Sequence, residues 1–384
     1  MKTCDSIEVI IAGDTVPTES NKALFKNGNI EELFGSECIK LFEGADLGVI
    51  NLETPLAPVD SPIDKYGPLL RADPDTITAI KKLGINLVSL ANNHIRDQGD
   101  TGVKQTIQIL KQEELNYIGA GENIATARKP FYFKKGNLAL GIYAVCETEF
   151  SYASTNRPGA NSLDMFESFR DIKDAKQKCD YLVVLFHGGK EEYRYPTPQE
   201  QRFARAMIDA GADVILAQHS HCIGVSEQYH SKFILYGQGN FIFDLCNDEN
   251  WQTGLIVRLV FQKDDIDIEY IPVRKMGNKI RIATKLDANT ILADMENRSS
   301  NCEDDGKVAD LYRNVLDGDC WDILYMMGGR ATSNKYFRWL DSMMKHKLIL
   351  RLYNKRILLA LLNTVQCETH REGLIDSITA IIKK

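Results

Sequence analysis

The first 275 residues alternate short, nearly continuous apolar runs with segments whose apolar residues recur every three or four positions. An apolar run such as IEVIIAG (7–13) is typical of a strand buried on both faces, whereas the spacing in TGVKQTIQILKQEE (101–114) predicts an amphipathic helix. By these criteria strands are predicted at 7–13, 47–53, 85–94, 138–145, 181–189, 214–222, 233–244, 254–261 and 266–275, and helices at 73–84, 101–114, 162–178 and 198–211. Helices that alternate with strands in this way predict a layered α/β protein.

The C-terminal part of the chain has a different pattern. Residues 295–306 are polar and lack periodicity, which predicts a linker between a domain at 1–294 and a helical extension at 307–384. The extension carries a net charge of +5, against −12 for the rest of the chain. Within it, KHKLILRLYNKRILLALL (345–362) predicts one basic amphipathic helix, which we interpret first as a packing surface for the domain or another subunit and second as a membrane-surface contact.

Composition narrows the classes of function. The net charge of −7 argues against binding of nucleic acid by the whole chain. The N-terminus lacks the apolar core of a signal peptide, and no apolar stretch reaches the roughly 18 residues that a spanning helix needs. Nine cysteines without a CxxC pair indicate free thiols in a reducing compartment. Together these features predict a cytoplasmic protein.

Polar side chains with metal-binding chemistry follow five of the predicted strands, at the point where each strand ends. These residues are Asp14, Glu53, the Asn92-Asn93-His94 cluster, His187, and the His219-x-His221 pair. In open α/β sheets the ligand crevice lies at the carboxyl ends of the strands, so these groups are candidates to converge. Carboxylate, amide and imidazole ligands without thiolate suit Zn, Mn or Fe, as one ion or as two.

Each residue also has an ordinary structural interpretation. Asp14 is compatible with a turn or helix cap, Glu53 with a surface acid, and the asparagines with turn positions. The coincidence of five strand ends is what favours a site. The His219-x-His221 pair is the strongest element, because residues i and i+2 of a strand share a face.

Taken with the segments around them, these residues make the sequence resemble the CapA family of poly-γ-glutamate capsule biosynthesis proteins, within the calcineurin-like metallophosphoesterase fold. The matching segments are AGD (12–14), GADLGVINLETPL (44–56), LGINLVSLANNHIRDQG (83–99), IGAGEN (118–123), HGGKEEY (187–193), PTPQEQ (196–201), MIDAGAD (207–213), QHSH (218–221) and YGQGNFIFD (236–244), so the resemblance covers residues 7–275. It implies a four-layer α/β/β/α sandwich followed by the helical extension.

The resemblance also implies roles for individual residues. It makes His94 the group that protonates a leaving group or steadies an oxyanion, and it matches Glu191 to a glutamate of a family motif, which we take as a second catalytic candidate. Asn240 lies in the GNF segment, at a family position without an assigned role. The implied metal ligands are Asp14, Glu53 (at the position of a bridging Asp), Asn93, His187, His219 and His221.

The chain departs from the superfamily pattern at several positions. The usual Asp-x-His is Asp14-Thr15-Val16 here, so one imidazole is missing. Glu53 is longer than the usual Asp, the aromatic residue of an HWG motif is Gly188, and Gln218 replaces a His.

Three functions remain open from the sequence. The first is a metal-dependent hydrolase that acts on a phosphoester or on an anionic substrate related to capsule or polyglutamate. The second is a non-hydrolytic capsule assembly factor that binds its polymer or a membrane partner. The third is an enzyme for another substrate, such as a nucleotide, a polysaccharide precursor or a peptide amide. Residues in the loops at 65–71 and 193–195 are candidates to line a pocket for an anionic substrate, but we interpret them first as solvated loop residues.

Overall fold

The computed structural model describes residues 6–302 and 304–382, except for the side chains of residues 317–319. The chain divides into two compact units, Met1–Ala309 and Asp310–Lys384. The domain bounds expected from the sequence, 1–294 and 307–384, stay a prediction. No helix among the described residues is long and apolar enough to cross a membrane.

Sixteen strands are assigned within the described residues, most of them close to the predicted positions. They are β1 (Ile7–Thr15), β2 (Leu47–Leu52), β3 (Leu87–Ser89), β4 (Asn116–Ile118), β5 (Ala120–Gly121), β6 (Phe131–Lys135), β7 (Leu138–Cys146), β8 (Gly159–Ala160), β9 (Tyr181–His187), β10 (Val214–Gln218), β11 (Ser226–Tyr229), β12 (Lys232–Leu235), β13 (Asn240–Ile242), β14 (Thr253–Gln262), β15 (Asp265–Met276) and β16 (Lys279–Ile282).

Helices connect the strands and form the C-terminal unit. They are α1 (Lys22–Asn27), α2 (Ile30–Phe34), α3 (Ser36–Gly44), α4 (Ile77–Lys82), α5 (Gly99–Gln112), α6 (Ile124–Ala127), α7 (Glu167–Lys176), α8 (Pro198–Ala210), α9 (Lys285–Ser299), α10 (Asp305–Met327), α11 (Arg330–Ser333), α12 (Lys335–Met343), α13 (Ile349–Leu352), α14 (Lys355–Gln366) and α15 (Glu368–Ile382). Short 3₁₀ segments occupy Pro74–Thr76 and Glu249–Gln252.

Two large sheets organise the first unit. The eight-stranded sheet has the order β16-β15-β14-β1-β2-β3-β4, with β13 also paired to β1. The six-stranded sheet has the order β11-β12-β10-β9-β7-β6. The pairs β1–β2, β2–β3, β7–β9 and β9–β10 are parallel, so the carboxyl ends of these neighbours lie at the same edge of each sheet.

The sheets pack face to face between helical layers. Along β9, Val183 and Leu185 join a core shared with the eight-stranded sheet, whereas Val184 and Phe186 join a second core with α7 and α8. The first core also contains buried side chains from α3, α4 and α5 on the far face of the eight-stranded sheet. Alternate residues of a strand point to opposite faces, so each sheet buries both sides. The predicted four-layer α/β/β/α arrangement is confirmed.

Two predicted strands and the predicted linker are wrong in detail. The run at 233–244 is divided, because β12 belongs to the six-stranded sheet and β13 pairs with β1 in the other sheet. The strand predicted at 214–222 ends with β10 at Gln218. The segment 295–306, expected to be a linker, begins with the last residues of α9. Arg298 in this part of the helix is buried and donates hydrogen bonds to the carbonyls of residues 223 and 224.

The single basic helix predicted at 345–362 is also wrong. The chain ends α12 at Met343, passes through two residues of positive φ, and forms α13 and α14 separately. The buried carboxylate of Asp341 accepts hydrogen bonds from the backbone N–H groups of Leu348 and Ile349, which holds the chain in this turn. Asn354 then caps α14 by accepting from residues 356 and 357. Contact of this segment with a membrane or another subunit stays a prediction.

Candidate metal centre

The five predicted strand ends meet at one place between the sheets. Asp14, Glu53 and Asn93 come from β1 and from the segments after β2 and β3, whereas His187, His219 and His221 come from β9 and the segment after β10. Seven of the eight predicted site residues are buried, among them His94; the eighth, Glu191, has a side chain that is 59% exposed. The two sheets therefore each supply donors to a common buried cluster.

One group of donors, which we call the Asn93 subsite, consists of Glu53, Asn93, His187 and His219. His187 Nε2 lies 3.0 Å from Asn93 Oδ1 and 3.3 Å from Glu53 Oε1. Glu53, His187 and His219 each offer a ligand atom within 4.8 Å of the others. Ligands bound to one ion at about 2.1 Å are separated by about 3.0–3.4 Å, so the printed separations suit a shared cation.

The second group, the Asp14 subsite, consists of Asp14, Glu53 and His221. Their ligand atoms also lie within 4.8 Å of one another, and His221 Nδ1 is 3.5 Å from Asp14 Oδ2. Glu53 belongs to both groups and is placed to bridge two ions. The Asp14 subsite has three such donors where the Asn93 subsite has four.

The donor chemistry fits divalent cations. Both carboxylate oxygens of Glu53, and Nδ1 of His219, are buried without a hydrogen-bond partner in the part of the chain that the structure describes. A buried carboxylate without donors is costly unless a cation balances it. The set contains nitrogen and oxygen donors, as Zn, Mn and Fe prefer.

The charges of the cluster are mutually dependent. Burial raises the pKa of Asp14, but the hydrogen bond to His221 and the charges of His187 and His221 outweigh it and lower this pKa to about 2. Burial lowers the pKa of His221, but Glu53 and Asp14 reverse the effect and raise it to about 9. Burial and the neighbouring imidazoles hold the pKa of His219 well below its usual range, so His219 presents a free lone pair.

The His219-x-His221 pair does not converge for the reason expected from the sequence. Both residues lie after β10 and have positive φ values of 94° and 54°. Backbone of this kind is rare for a residue with a Cβ and is found where the surrounding structure imposes it. Here the N–H of His219 donates to Asp14 Oδ2 at 3.1 Å, which ties the turn to the opposite sheet.

Two buried asparagines support the carboxylates, and sequence reasoning missed or undervalued both. Asn51 Nδ2 donates to Asp14 Oδ1 at 2.7 Å and lies 3.1 Å from His187 Nδ1. Asn92, predicted to support a turn, donates to Asn51 Oδ1 and to the carbonyl of Leu52. The signal that marks Asn51 is an amide inside the apolar run LGVINLE, where both faces of the strand are buried.

His94 is held by two charged residues. Its Nδ1 lies 2.6 Å from Asp97 Oδ2 and 3.1 Å from Lys65 Nζ, and Lys65 also pairs with Asp97 Oδ1 at 2.5 Å. The Lys65 side chain is only 3% exposed. Lys65 is therefore not the solvated loop residue that the sequence favoured, because its amine lies against His94 instead. Whether Lys65 lines a substrate pocket stays a prediction.

Two further residues lie beside the cluster. Glu191 Oε1 is 3.9 Å from His219 Nε2 at the exposed rim. Asn240 is buried, and its Oδ1 lies 3.0 Å from His221 Nδ1. The ligand assignments and the roles of His94 and Glu191 stay predictions, although the structure brings all eight residues together.

Residues 8–245 match the family described as bacterial capsule synthesis protein PGA_cap. The chain is 29% identical over 229 residues to capsule biosynthesis protein CapA of Bacillus anthracis, covering 58% of this chain and 56% of that protein. It is 33% identical over 179 residues to PGA biosynthesis protein CapA of Bacillus subtilis, covering 46% and 47%. The chain thus spans about half the length of these curated relatives.

Among solved structures, a novel phosphatase from Mycoplasma pneumoniae aligns with a TM-score of 0.44 and 13% identity, covering 70% of this chain and 94% of that chain. The family match covers well over half of the present chain and confirms the resemblance noted in the sequence. The chain belongs to the family of bacterial capsule synthesis proteins of the PGA_cap type.

Proposed function

We propose that this protein is a metal-dependent hydrolase of an anionic substrate, a phosphoester in the first instance. The observation that carries the proposal is the buried carboxylate of Glu53, which lacks hydrogen-bond partners among the described residues and is surrounded by imidazole and amide donors. Such an arrangement is costly without a cation and well suited to one or two.

The proposed ligands divide between the two subsites. Glu53 would serve both subsites, Asn93, His187 and His219 would complete one, and Asp14 and His221 would hold the other. When bound, divalent ions polarise a phosphoryl oxygen and make water nucleophilic near neutral pH.

The remaining work falls to the chain's own residues. We assign to His94 the transfer of a proton to the leaving group. Its Nδ1–H donates a hydrogen bond to Asp97, so Nε2 is the nitrogen that would give the proton to the substrate. Lys65 fixes Asp97 in turn, so the imidazole keeps one orientation. Glu191 Oε1 stands 3.9 Å from His219 Nε2 at the exposed rim, and we retain it as the second catalytic candidate.

Hydrolysis assays on three classes of substrate test this proposal. Metal-free protein is reloaded with Mn²⁺ or Zn²⁺ and assayed on aryl phosphodiesters, aryl phosphomonoesters and γ-glutamyl peptides, with a chelator and the Glu53→Gln variant as controls. We expect hydrolysis that the chelator and the variant both abolish. Metal-replete protein that leaves all three substrates intact would contradict the hydrolase proposal.

A second candidate function is binding of poly-γ-glutamate without hydrolysis. Its support is that the relatives are named for capsule and PGA biosynthesis and that Val16 leaves the Asp14 subsite with three donors. Equilibrium binding of the polymer to the metal-loaded protein separates the candidates. Tight binding of an intact polymer, with no turnover of any ester or peptide, favours this second function.

A further inference from the structure

The Asp14 subsite is short of donors. It offers Asp14, Glu53 and His221, whereas zinc and manganese take at least four ligands. Val16, two residues after Asp14, is 2% exposed and packs with Phe243 and Trp251, so it supplies no donor. Water completes many catalytic ions that have three protein ligands, so any fourth protein ligand would have to come from another element of the fold.

The topology places Asn240 at this position. Asn240 begins β13, which pairs in parallel with β1 in the register Asp14↔Asn240. Glycines permit the close approach: a Cβ at Gly13 would lie 2.2 Å from the carbonyl oxygen of Gly239, and a Cβ at Gly254 would lie 2.1 Å from that of Asn240. The backbone of Asn240 is therefore held against the strand that carries Asp14.

The side chain of Asn240 is directed at the subsite. The residue is 5% exposed, and Oδ1 lies 3.0 Å from His221 Nδ1, the same nitrogen that lies 3.5 Å from Asp14 Oδ2. These separations match the roughly 3.0–3.4 Å between neighbouring ligands of one ion. Nδ2 of Asn240 has no hydrogen-bond partner among residues 6–302 and 304–382, so the contact of Oδ1 with His221 is the polar contact that fixes the buried amide there.

We propose that Asn240 Oδ1 is the fourth protein ligand of the ion in the Asp14 subsite. The amide oxygen takes the place of the imidazole that residue 16 does not provide. This inference rests on the proposed metal centre, and it makes the two subsites equal in number of protein donors.

The test measures metal content rather than activity. Wild type, Asn240→Ala and the control Asn86→Ala are stripped with chelator and titrated with Mn²⁺, with bound metal read by elemental analysis and electron paramagnetic resonance. Asn86 is a suitable control because it caps the opposite end of the sheet, where its Oδ1 accepts from the N–H of Gly48. We expect two ions and a spin-coupled signal for wild type and the control, and a single uncoupled ion for Asn240→Ala at concentrations that saturate wild type.

A double-mutant cycle separates a ligand from a group that only orients His221. If Asn240 binds the ion, adding Asn240→Ala to His221→Ala weakens the remaining Mn²⁺ affinity of this subsite at least about tenfold more. If it acts through the imidazole alone, the second substitution changes nothing, and the proposal is wrong. Asn240→Asp serves if the alanine variant misfolds: the added carboxylate is expected to tighten Mn²⁺ binding, and weaker binding contradicts the proposal.

The result also distinguishes this inference from the function on which it rests. Wild type that takes up two ions while Asn240→Ala behaves identically overturns only the role of Asn240. Wild type that takes up fewer than two ions overturns both the fourth ligand and the two-ion centre.

Discussion

The Asn93 and Asp14 subsites share Glu53 but differ in the donors around it. The Asn93 subsite combines Glu53 with an amide and two imidazoles, whereas the Asp14 subsite has one more carboxylate and a single imidazole. Imidazoles favour Zn and Fe, and oxygen ligands favour Mn. If both groups bind metal as proposed, this difference predicts two ions of unequal affinity and different preference, with the Asn93 subsite filling first.

The shared residue gives the largest expected effect. Glu53→Gln removes the bridging charge, so we expect both ions and all hydrolysis to be lost. Without metal, the neighbouring imidazoles balance Glu53, with His187 Nε2 at 3.3 Å and the pKa of His221 raised, so we expect Glu53→Gln to change the stability of the metal-free protein by less than about 1 kcal/mol. Chemical unfolding with and without Mn²⁺ measures both effects.

Asp213→Asn is the matched control for this dependence of the stability change on metal. Asp213 is equally buried but accepts from the N–H of Leu182 and pairs with Lys176. Its neutral variant is expected to lose about 1–3 kcal/mol of stability with or without metal. Equal losses of stability at Glu53 and Asp213, both with and without Mn²⁺, would show that Glu53 does not bind a cation.

The next effect leaves both subsites intact. His94→Ala is expected to retain two ions while kcat falls by about 10²–10⁴-fold, the usual contribution of a general acid. Asp97→Asn lowers kcat less, because it misorients the ring without removing it. Metal analysis alongside kinetics checks this prediction; loss of metal in His94→Ala would place His94 among the ligands instead.

Breaking one subsite at a time tests the asymmetry. Asn93→Ala is expected to weaken the Asn93 subsite by about 10–100-fold and to leave the Asp14 subsite nearly unchanged, since the two share only Glu53. Asp14→Asn is expected to do the reverse. Titration with Mn²⁺ followed by Zn²⁺ measures the affinity of each subsite separately. Simultaneous loss of both ions in either variant contradicts independent subsites.

A gain of affinity sharpens the same comparison. Val16→His restores an imidazole two residues after Asp14, and we expect it to tighten the Asp14 subsite by about tenfold and shift its preference towards Zn²⁺. Calorimetric titration of the metal-free variant measures the change. Val16→Leu, which keeps the packing on Phe243 and Trp251, is the control and is expected to bind as wild type does.

The smallest effect is a pH dependence of the metal-free protein. His221 has a pKa of about 9 when folded against 6.5 for the unfolded group, so its contribution is complete below pH 6.5 and is lost as pH rises through 9. Stability is expected to fall by up to about 1 kcal/mol per pH unit across that window. Urea unfolding of His221→Asn should show a flatter profile, whereas His230→Asn, at an exposed histidine, should keep the wild-type slope.

Local pattern predicted a layered α/β protein and the place of the site, whereas the four-layer arrangement was implied by the family resemblance. Continuous apolar runs identify β1, β9 and β10, and parallel strands necessarily deliver their ends to one edge. It did not predict contacts made between distant elements. The split of 233–244 depends on which sheet each half joins, and Asn240 matters only because β13 returns to β1.

The same reason explains the missed charges and helices. The sequence places Lys65 in a polar loop. Its side chain is buried because it forms a salt bridge with Asp97, which lies on another segment. The helix predicted at 345–362 fails because Asp341, outside that range, binds the backbone at Leu348 and Ile349. Periodicity does not encode such contacts across the chain.

The tie between His219 and Asp14 joins residues 205 positions apart, across two sheets. An ion held by donors from both sheets is thus a removable cross-link that closes a very long loop, and cross-links of long loops constrain the unfolded chain strongly. In the proposed centre, metal supply would then control a mechanical property as well as chemistry, the resistance of the two sheets to separation.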